Sequence, residues 1–304
     1  MIRYLFFLLN ALILFSCKPR STVFPNGKPS FEIVKGKHFI EVSRRFPGGL
    51  SFNKDGYMLK PEWDLFILND STVRIYSPFE KAYVNYPYFF DHDSVFNMAR
   101  TWLRLKYLTK DSMMFQILRV ANKEISRTRS NAYMKFYSES YINDSLHTTA
   151  QKLKQPPAAD SLYIRQRTMQ AAKIPDSAFI AIEPVTLTSK SPIIRVEKIL
   201  PETGPLSDDK TSDFYLLPEF KIMISKAYRD FHYEFSVFVD AKGVMHFNRS
   251  EIMLSDDFAE HYQEIMKGVM SVYLQNLLTI TPGKTLGIPH TSMIIVDVTG
   301  KKQG

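Results

Sequence analysis

Asp91, His92 and Asp93 form the most metal-like cluster of the sequence, because imidazole and carboxylate groups both bind divalent ions. Adjacent residues of an extended chain point to opposite sides, however, so these three side chains do not easily converge on one ion. The spacing favours a solvated turn. We therefore predict neither a metal site nor a cofactor.

Three further histidines, His246, His261 and His290, lie in the C-terminal part without an H-x-x-x-H, H-x-H or cysteine pattern beside them. The acid pair Asp256-Asp257 suits the first turn of a helix better than acid–base chemistry, which needs convergent and desolvated groups. No Gly-x-Ser-x-Gly elbow, phosphate loop or dinucleotide fingerprint is present. We assign no catalytic residue and expect a protein that is not an enzyme.

The first seventeen residues predict export and a lipid anchor. Arg3 precedes an apolar run from Leu5 to Phe15, and Ser16 and Cys17 follow it. At about 1.5 Å per residue the run reaches only about 17 Å, well short of the roughly 30 Å core of a bilayer. Such a segment is typical of a cleaved signal peptide. Cys17 is the only cysteine, so no internal disulfide forms, and its place after Ser16 predicts a lipidated N-terminus.

The charge pattern argues against nucleic-acid binding. The formal net charge is +8, and loss of residues 1–16 removes one base, Arg3, and leaves +7. The basic residues are scattered, with short pairs such as Arg44-Arg45 but no Lys/Arg block. A basic, acylated protein would be attracted to anionic lipid head groups, although general solubility explains the same charge. The apolar share of 45% is ample for folded cores.

The N-terminal half predicts an antiparallel, β-rich domain. Short β-branched and aromatic runs recur about every ten residues between Asn, Asp, Gly and Pro turn signals. This spacing fits a meander that closes into a small barrel, or one that remains a half-barrel. The predicted strands are His38–Phe46, Leu65–Leu68, Thr72–Ser77, Ala82–Tyr88, Leu103–Leu108, Met113–Val120 and Tyr133–Tyr137.

The middle of the chain predicts a linker. Residues 145–174 are polar and helical in pattern, and two extended runs follow at Phe179–Leu187 and Ile193–Leu200. Residues 201–213 then collect Pro, Gly, Ser and Asp, which indicates a domain boundary.

The C-terminal unit predicts the order helix, hairpin, helix, strand. Phe220, Met223, Ala227 and Phe231 recur at steps of three and four after Pro218, as on one face of a helix. Alternation from Tyr233 to Val239, a turn at 240–243 and the run Val244–Phe247 predict a hairpin. Ser255 caps a second predicted helix, whose apolar stripe runs from Phe258 to Val272. A last strand, Ser292–Val298, follows the turns at 282–289.

These C-terminal residues resemble the TonB C-terminal domain family over residues 214–299. The resemblance is carried by the strand and turn Phe235–Gly243 and by the turn Pro-Gly-Lys-Thr-Leu-Gly-Ile-Pro at 282–289. In that family an edge strand pairs with a peptide of the partner, a mode that uses unmet backbone N–H and C=O groups. The resemblance implies that the docking strand consists of Ser292, Met293, Ile294, Ile295, Val296, Asp297 and Val298.

This chain departs from an energy transducer of that family. Its N-terminus has the pattern of a cleaved and lipidated segment, and it has no long Pro-Glu/Pro-Lys spacer. Energy coupling is therefore not expected. A module that docks a peptide or protein is one interpretation, and a purely structural sheet edge is the other.

The segments Trp63–Thr72 and Leu108–Met114 resemble the small lipocalin-like barrels of other bacterial lipoproteins. This resemblance leaves two interpretations, a barrel filled by its own core and a cavity that carries a small apolar ligand. The aromatic side chains that would line such a cavity are Trp63, Phe66, Tyr76, Tyr83, Phe89, Trp102 and Phe115.

An Asp-Ser pair recurs six times. Each pair resembles the Asp-Ser/Thr-hydrophobic acceptor of bacterial O-glycosylation, and Asp-Ser is equally good turn chemistry. The serines concerned are Ser71, Ser94, Ser112, Ser145, Ser161 and Ser177.

Together these features predict an α+β, non-catalytic lipoprotein of a Gram-negative cell envelope that docks a protein or peptide partner. Lys18-Pro19-Arg20 lacks acidic export residues, which favours the periplasmic face of the outer membrane. A carrier of a small apolar ligand is the alternative, and a hydrolase of envelope polymers ranks last. The predicted segments are a signal peptide (1–16), a tether (17–30), a β-rich domain (31–144), a helical linker with two extended segments (145–213), a TonB-like domain (214–299) and a tail (300–304).

Overall fold

The structure is a computed structural model that describes residues 29–199, 217–253 and 256–302. The predicted signal peptide and Cys17 lie outside the described residues. The chain divides into two compact units, one of Met1–Pro47 with Lys60–Lys154 and the other of Gly48–Leu59 with Gln155–Gly304. This division differs from the predicted one, because residues 48–59 and most of the expected linker belong to the second unit.

The first unit contains a closed barrel of eight antiparallel strands. Each strand pairs with its neighbours in the chain, and β1 closes the barrel by pairing with both β10 and β2. A small hairpin, β8–β9, is inserted between β7 and β10. The strands are β1 (His38–Arg45), β2 (Asp64–Ile67), β3 (Thr72–Ser77), β4 (Ala82–Phe90), β5 (Val95–Met98), β6 (Thr101–Leu108), β7 (Ser112–Leu118), β8 (Val120–Ala121), β9 (Glu124–Ile125) and β10 (Ala132–Ser138).

The barrel interior is filled by the chain's own side chains. Strand residues alternate between the inside and the outside, and the inward set is bulky and buried. Phe31, next to the short 3₁₀ turn Glu32–Val34, packs among these side chains at one end of the barrel. The buried barrel core comprises Phe31, Val34, Phe39, Leu65, Ile67, Val73, Ile75, Tyr88, Phe96, Met98, Leu103, Leu105, Leu108, Met113, Phe115, Met134 and Phe136.

Outside the barrel, the first unit ends in short helical segments. A π-helical turn, Tyr141–Ser145, follows β10, and helix α1 (Ala150–Lys154) comes after it. Ile142 and Ala150 pack with Val42 in a small separate cluster on the outer side of β1.

The second unit is built on a five-stranded mixed sheet with the order β12-β13-β19-β14-β15. Only β13 and β19 run parallel, and the other pairs are antiparallel. Its strands and those of two small sheets are β11 (Thr186–Ser189), β12 (Ile194–Lys198), β13 (Glu219–Ala227), β14 (Phe231–Val239), β15 (Met245–Ser250), β16 (Leu278–Thr281), β17 (Lys284–Thr285), β18 (Ile288–Pro289) and β19 (Ser292–Lys302).

Helical segments complete the second unit. Helix α2 (Ala158–Ala171) is followed by a 3₁₀ turn, Pro175–Ser177. Helix α3 (Asp256–Val269) continues through a π-helical turn, Met270–Leu274, into the short helical segment Gln275–Leu277. Met266 and Val269 of α3 are buried in the core beneath the sheet.

The predicted helix after Pro218 is wrong, because this segment forms β13. Phe220, Ile222 and Ile224 are buried, whereas Met223, which the helical stripe included, is 47% exposed. A period of two therefore describes the segment, and pairing with β19 on one side and β12 on the other satisfies its backbone. The hairpin β14–β15 and helix α3 lie where the sequence predicts them.

Candidate functional site

The predicted docking strand is not at a sheet edge, so this part of the prediction is wrong. Residues Ser292–Val298 belong to β19, which pairs with β13 on one side and with β14 on the other. Ile294, Val296 and Val298 are fully buried. The backbone of β19 therefore has no free side along which a partner strand could pair.

Strand β12 lies at one edge of this sheet, and no described strand pairs with its outer side. In its antiparallel ladder with β13, Ser225 N–H donates to Ile193 and Ile199 N–H donates to Glu219. Bonded residues alternate along an antiparallel strand, so the N–H and C=O groups of Val196 point away from β13. Neither these groups nor those of Lys198 have a hydrogen-bond partner within the described ranges. A partner strand could pair there.

The opposite edge, β15, is partly covered by a side chain. Gln275 Oε1 accepts a hydrogen bond from Met245 N–H at 2.8 Å, and Gln275 Nε2 donates to Gly243 O at 3.4 Å. The bond from Met245 N–H thus occupies one outward-facing donor of β15, whereas no described residue occupies the outward-facing backbone groups of Val196 and Lys198 on β12.

The side chains of β12 differ between its two faces. Ile194 is buried and Val196 packs against the core of the second unit. Arg195 and Glu197 are exposed on the other face. Charged side chains on an edge strand also protect it from nonspecific pairing, so a partner must match both the apolar and the charged face.

The aromatic side chains predicted to line a cavity do not line one inside the barrel. Phe115 is buried in the barrel core and Trp63 packs against it. Tyr76, Tyr83 and Phe89 are 38%, 42% and 52% exposed and point outward. The sequence left two interpretations open, a filled core and a ligand cavity, and the barrel has a filled core.

A polar cluster joins four elements on the outer wall of the barrel. His38 Nδ1 lies 2.9 Å from Glu139 Oε2, and its Nε2 contacts Asp64 Oδ1. Tyr83 donates a hydrogen bond of 2.9 Å to the same Asp64 oxygen, and Phe66 stacks on the imidazole with ring centroids 4.3 Å apart. No local pattern in the sequence brings these residues together.

The cluster raises the pKa values of His38 and Tyr83. Burial alone would lower the pKa of His38, but its hydrogen bonds to Glu139 and Asp64 outweigh burial and raise the pKa above 6.5. Burial, followed by the hydrogen bond to Asp64, raises the pKa of Tyr83 to about 12. Each ring nitrogen of His38 faces a carboxylate oxygen, so this arrangement favours the protonated imidazole where β1 meets β2.

The metal-like cluster of the sequence contains a hydrogen-bonded His–Asp pair in a turn. His92 Nδ1 contacts the carboxylate of its neighbour Asp91, and Asp93 has a positive φ of 49°. Within residues 29–199, 217–253 and 256–302, no three His, Cys, Asp or Glu side chains are placed to hold a metal ion.

The other histidines have separate surroundings. His246 Nε2 lies 3.3 Å from Asp240 Oδ2, and His261 lies next to Tyr262 on α3. His290 is fully buried. Burial lowers its pKa to about 4, with a hydrogen bond to the Thr291 backbone opposing the shift. The three rings do not converge on a common site.

Three of the six Asp-Ser serines lie at one end of the barrel. Ser71 and Ser94 lie in the connections β2–β3 and β4–β5, and Ser112 is the first residue of β7 after the connection β6–β7. Alternate connections of an up-and-down barrel share an end. Ser145 is exposed at the end of the π-helical turn, and Ser177 ends a 3₁₀ turn.

The sixth serine differs, because Ser161 lies in helix α2 after the fully buried Asp160. Asp160 Oδ1 accepts a hydrogen bond of 2.9 Å from Ser51 N–H. This pair is therefore not the exposed turn that the sequence predicts for every Asp-Ser.

The sequence indicated an extended run at Ile193–Leu200 but not its role as the edge. The alternation of Ile194 and Val196 with charged residues was the available local signal. Edge position depends on which strands pair, and the pairs of β12, β13 and β19 join residues about thirty and seventy positions apart.

No helix within the described residues combines the length and the apolar character that crossing a membrane requires. No model of a known protein family matches the chain. A search of curated proteins likewise finds no similar sequence.

Proposed function

We propose that this protein is a non-catalytic lipoprotein of a Gram-negative envelope, anchored through Cys17, that docks an extended segment of a protein partner along β12. The observation that carries the docking proposal is the outward-facing N–H and C=O of Val196, which have no partner in the described part of the chain. Strand addition at an open edge satisfies such groups and gives affinity through the backbone.

The two faces of β12 define the chemistry of the partner. A strand added beside Val196 would place alternate side chains over the edge of the apolar core, next to Ile194 and Val196. The intervening side chains would lie beside Arg195 and Glu197. The expected partner is an extended segment with apolar residues on one face and charges of both signs on the other.

The lipid anchor supports the docking proposal through local concentration. Acyl chains at Cys17 would hold the protein at one membrane, so a partner in the same envelope meets it at raised effective concentration.

Acylation of Cys17 is tested directly by measuring the intact mass of the protein. The wild-type protein should carry the added mass of acyl chains and partition with membranes, and Cys17→Ala should abolish both. A wild-type chain with an unmodified Cys17 would contradict the anchor.

The docking proposal is tested by Val196→Pro. Proline removes the outward-facing N–H of residue 196 and leaves the ladder to β13 intact, because Val196 does not donate to β13. A photoreactive residue at position 195 should give a discrete adduct with a partner in intact cells. We expect Val196→Pro to abolish this adduct.

Val196→Thr is the matched control, because threonine retains the N–H and the branched shape. The adduct should persist in this variant. A photoreactive residue at His246, on the other edge strand β15, should give no such adduct if docking is confined to β12. Equal adducts from wild type and Val196→Pro, with both proteins folded by circular dichroism, would exclude docking along β12.

A further inference from the structure

A cleft of about 390 Å³ lies on the outer wall of the barrel, separate from the filled interior. The hairpin β8–β9 forms one side, and β5 and β6 form the other. The residues that line it are Asp91, His92, Val95, Trp102, Val120, Asn122, Lys123 and Ile125. A volume of this size is within the usual range for sites that bind small molecules.

Trp102 provides an aromatic wall of the cleft. Its side chain is half-buried, and Phe89 meets it edge to face with ring centroids 6.0 Å apart. Val95, which is 1% exposed, lies beside it on the outward face of β5. A flat ring of a ligand would pack against the indole and these apolar groups.

The hairpin supplies the second apolar wall. Val120 and Ile125 are directly opposite each other in the β8–β9 pair, so their side chains share one face. Both line the cleft. Glu124 pairs with Ala121 in the same hairpin, and alternation along a strand places its carboxylate on the opposite face.

The charges around the cleft favour an anion. The Asp91 carboxylate already has a partner within the protein, because its Oδ2 is hydrogen-bonded to His92 Nδ1. Lys123 has no ion-pair partner within the described residues. A ligand that brings a negative charge would therefore meet one unpaired ammonium, with the amide of Asn122 beside it.

The backbone at Lys123 adopts the left-handed conformation of a tight hairpin turn. Asn122 and Lys123 form the two-residue turn of the hairpin with φ values of 53° and 65°. Glycine is the usual residue at the second position of such a turn, and another residue costs about 1 kcal/mol there. Strain of this kind is concentrated at functional sites.

We propose that this cleft binds a small organic anion with a flat apolar ring, the ring against Trp102 and the acidic group at Lys123. The site is independent of docking along β12, and each proposal can fail without the other.

The test uses 2-naphthoate as the probe and 2-naphthylmethanol as its uncharged analogue. Both are titrated calorimetrically into the full chain carrying Cys17→Ala, so that acyl chains do not compete for the probes. We expect naphthoate to bind more tightly than the alcohol. Trp102→Leu should weaken both probes by about tenfold, because it removes the aromatic wall from each complex.

Lys123→Gly separates a binding role from a structural one. It removes the ammonium and relieves the positive φ, so it should not lower the thermal midpoint. It should weaken naphthoate by about fivefold and leave the alcohol unchanged. Lys81→Gly is the matched control, because Lys81 also lies in a hairpin turn with a positive φ of 51° and does not line the cleft.

Three results would overturn the proposal. One is the failure of wild type to bind either probe at millimolar concentration. Another is an equal effect of Lys123→Gly and Lys81→Gly on naphthoate, which would mean that general charge, not the cleft, attracts the anion. The third is a Trp102→Leu variant that binds both probes as tightly as wild type, which would mean that the indole does not contact the ligand.

Discussion

Phe179 and His290 stack face to face, with ring centroids 3.8 Å apart and planes 8° from parallel. His290 Nδ1 lies 3.1 Å from the Thr291 carbonyl oxygen, and its Nε2 lies 2.9 Å from Thr285 Oγ1. A carbonyl oxygen only accepts, so Nδ1 carries the proton and Nε2 accepts from the threonine hydroxyl. Both ring nitrogens of the neutral imidazole have hydrogen-bond partners, and burial of the ring opposes a second proton.

The second unit should therefore lose stability in acid. The pKa of His290 is lowered from 6.5 to about 4. The unfolded chain binds the proton more tightly, so stability is full above about pH 6.5 and falls as the pH approaches 4, by about 3 kcal/mol. Denaturant unfolding followed by circular dichroism from pH 8 to pH 4 measures this loss.

His290→Gln is the variant for comparison, because its side chain does not titrate in this range. It should be less stable than wild type at pH 8 and should lose less stability on acidification. A parallel pH dependence for the two proteins would assign the loss to other groups. Both tryptophans, Trp63 and Trp102, lie in the first unit, so indole fluorescence is not a probe of this transition.

His38 should give the first unit the opposite pH dependence. Its pKa is raised by Glu139 and Asp64 despite burial. The native state therefore binds the proton more tightly, and this contribution is fully present below about pH 6.5 and is lost as the pH rises through the raised pKa. Indole fluorescence during denaturant unfolding at pH 6 and pH 9 should show wild type losing more stability than His38→Gln. Equal losses would exclude this contribution.

Glu41 should be among the most sensitive positions of the barrel. Its fully buried carboxylate accepts two hydrogen bonds of 2.7 Å from Arg44. It also accepts from the backbone N–H groups of Glu62 and Trp63 at 2.8 and 2.9 Å. Glu41→Ala leaves a half-buried guanidinium and two N–H groups without this acceptor, which should cost about 3–5 kcal/mol of the free energy of unfolding.

The cost at Glu41 is measured by denaturant unfolding with indole fluorescence. Glu62→Ala is the control, because its exposed side chain is changed while its N–H still donates to Glu41. That variant should stay within about 0.5 kcal/mol of wild type. A loss below 1 kcal/mol in Glu41→Ala would mean that water replaces the carboxylate.

Local patterns in the sequence predict the barrel strands well. Residues Thr72–Ser77 have the same bounds in the prediction and in β3. The strand β5, Val95–Met98, was not predicted. Closure of the barrel depends on the pairing of β1 with β10, which lie about ninety residues apart and have no shared local signal.

The C-terminal sheet shows where local patterns fail. In β13, apolar residues occur both at the two-residue spacing of a strand and at the three- to four-residue spacing of a helix. Only the burial of alternate residues in the structure shows that the strand spacing is the correct one. The same sheet places β19 at its centre through a parallel pair with β13. The His38 cluster likewise joins residues 38, 64, 83 and 139, so neither of these sites has a contiguous signature.

The Asp-Ser serines should differ in modification if the protein is O-glycosylated. Ser71 and Ser145 are exposed in irregular or terminal segments, where an attached glycan would meet solvent. Ser161 lies within α2 behind the buried Asp160, so the helix would have to open before an enzyme could bind an extended acceptor. Intact mass of the protein from its own envelope should fall by one glycan in Ser71→Ala and in Ser145→Ala, and should not change beyond the substitution in Ser161→Ala. A wild-type protein whose mass includes no glycan would contradict O-glycosylation, and the Asp-Ser pairs outside α2 would then serve only to form turns.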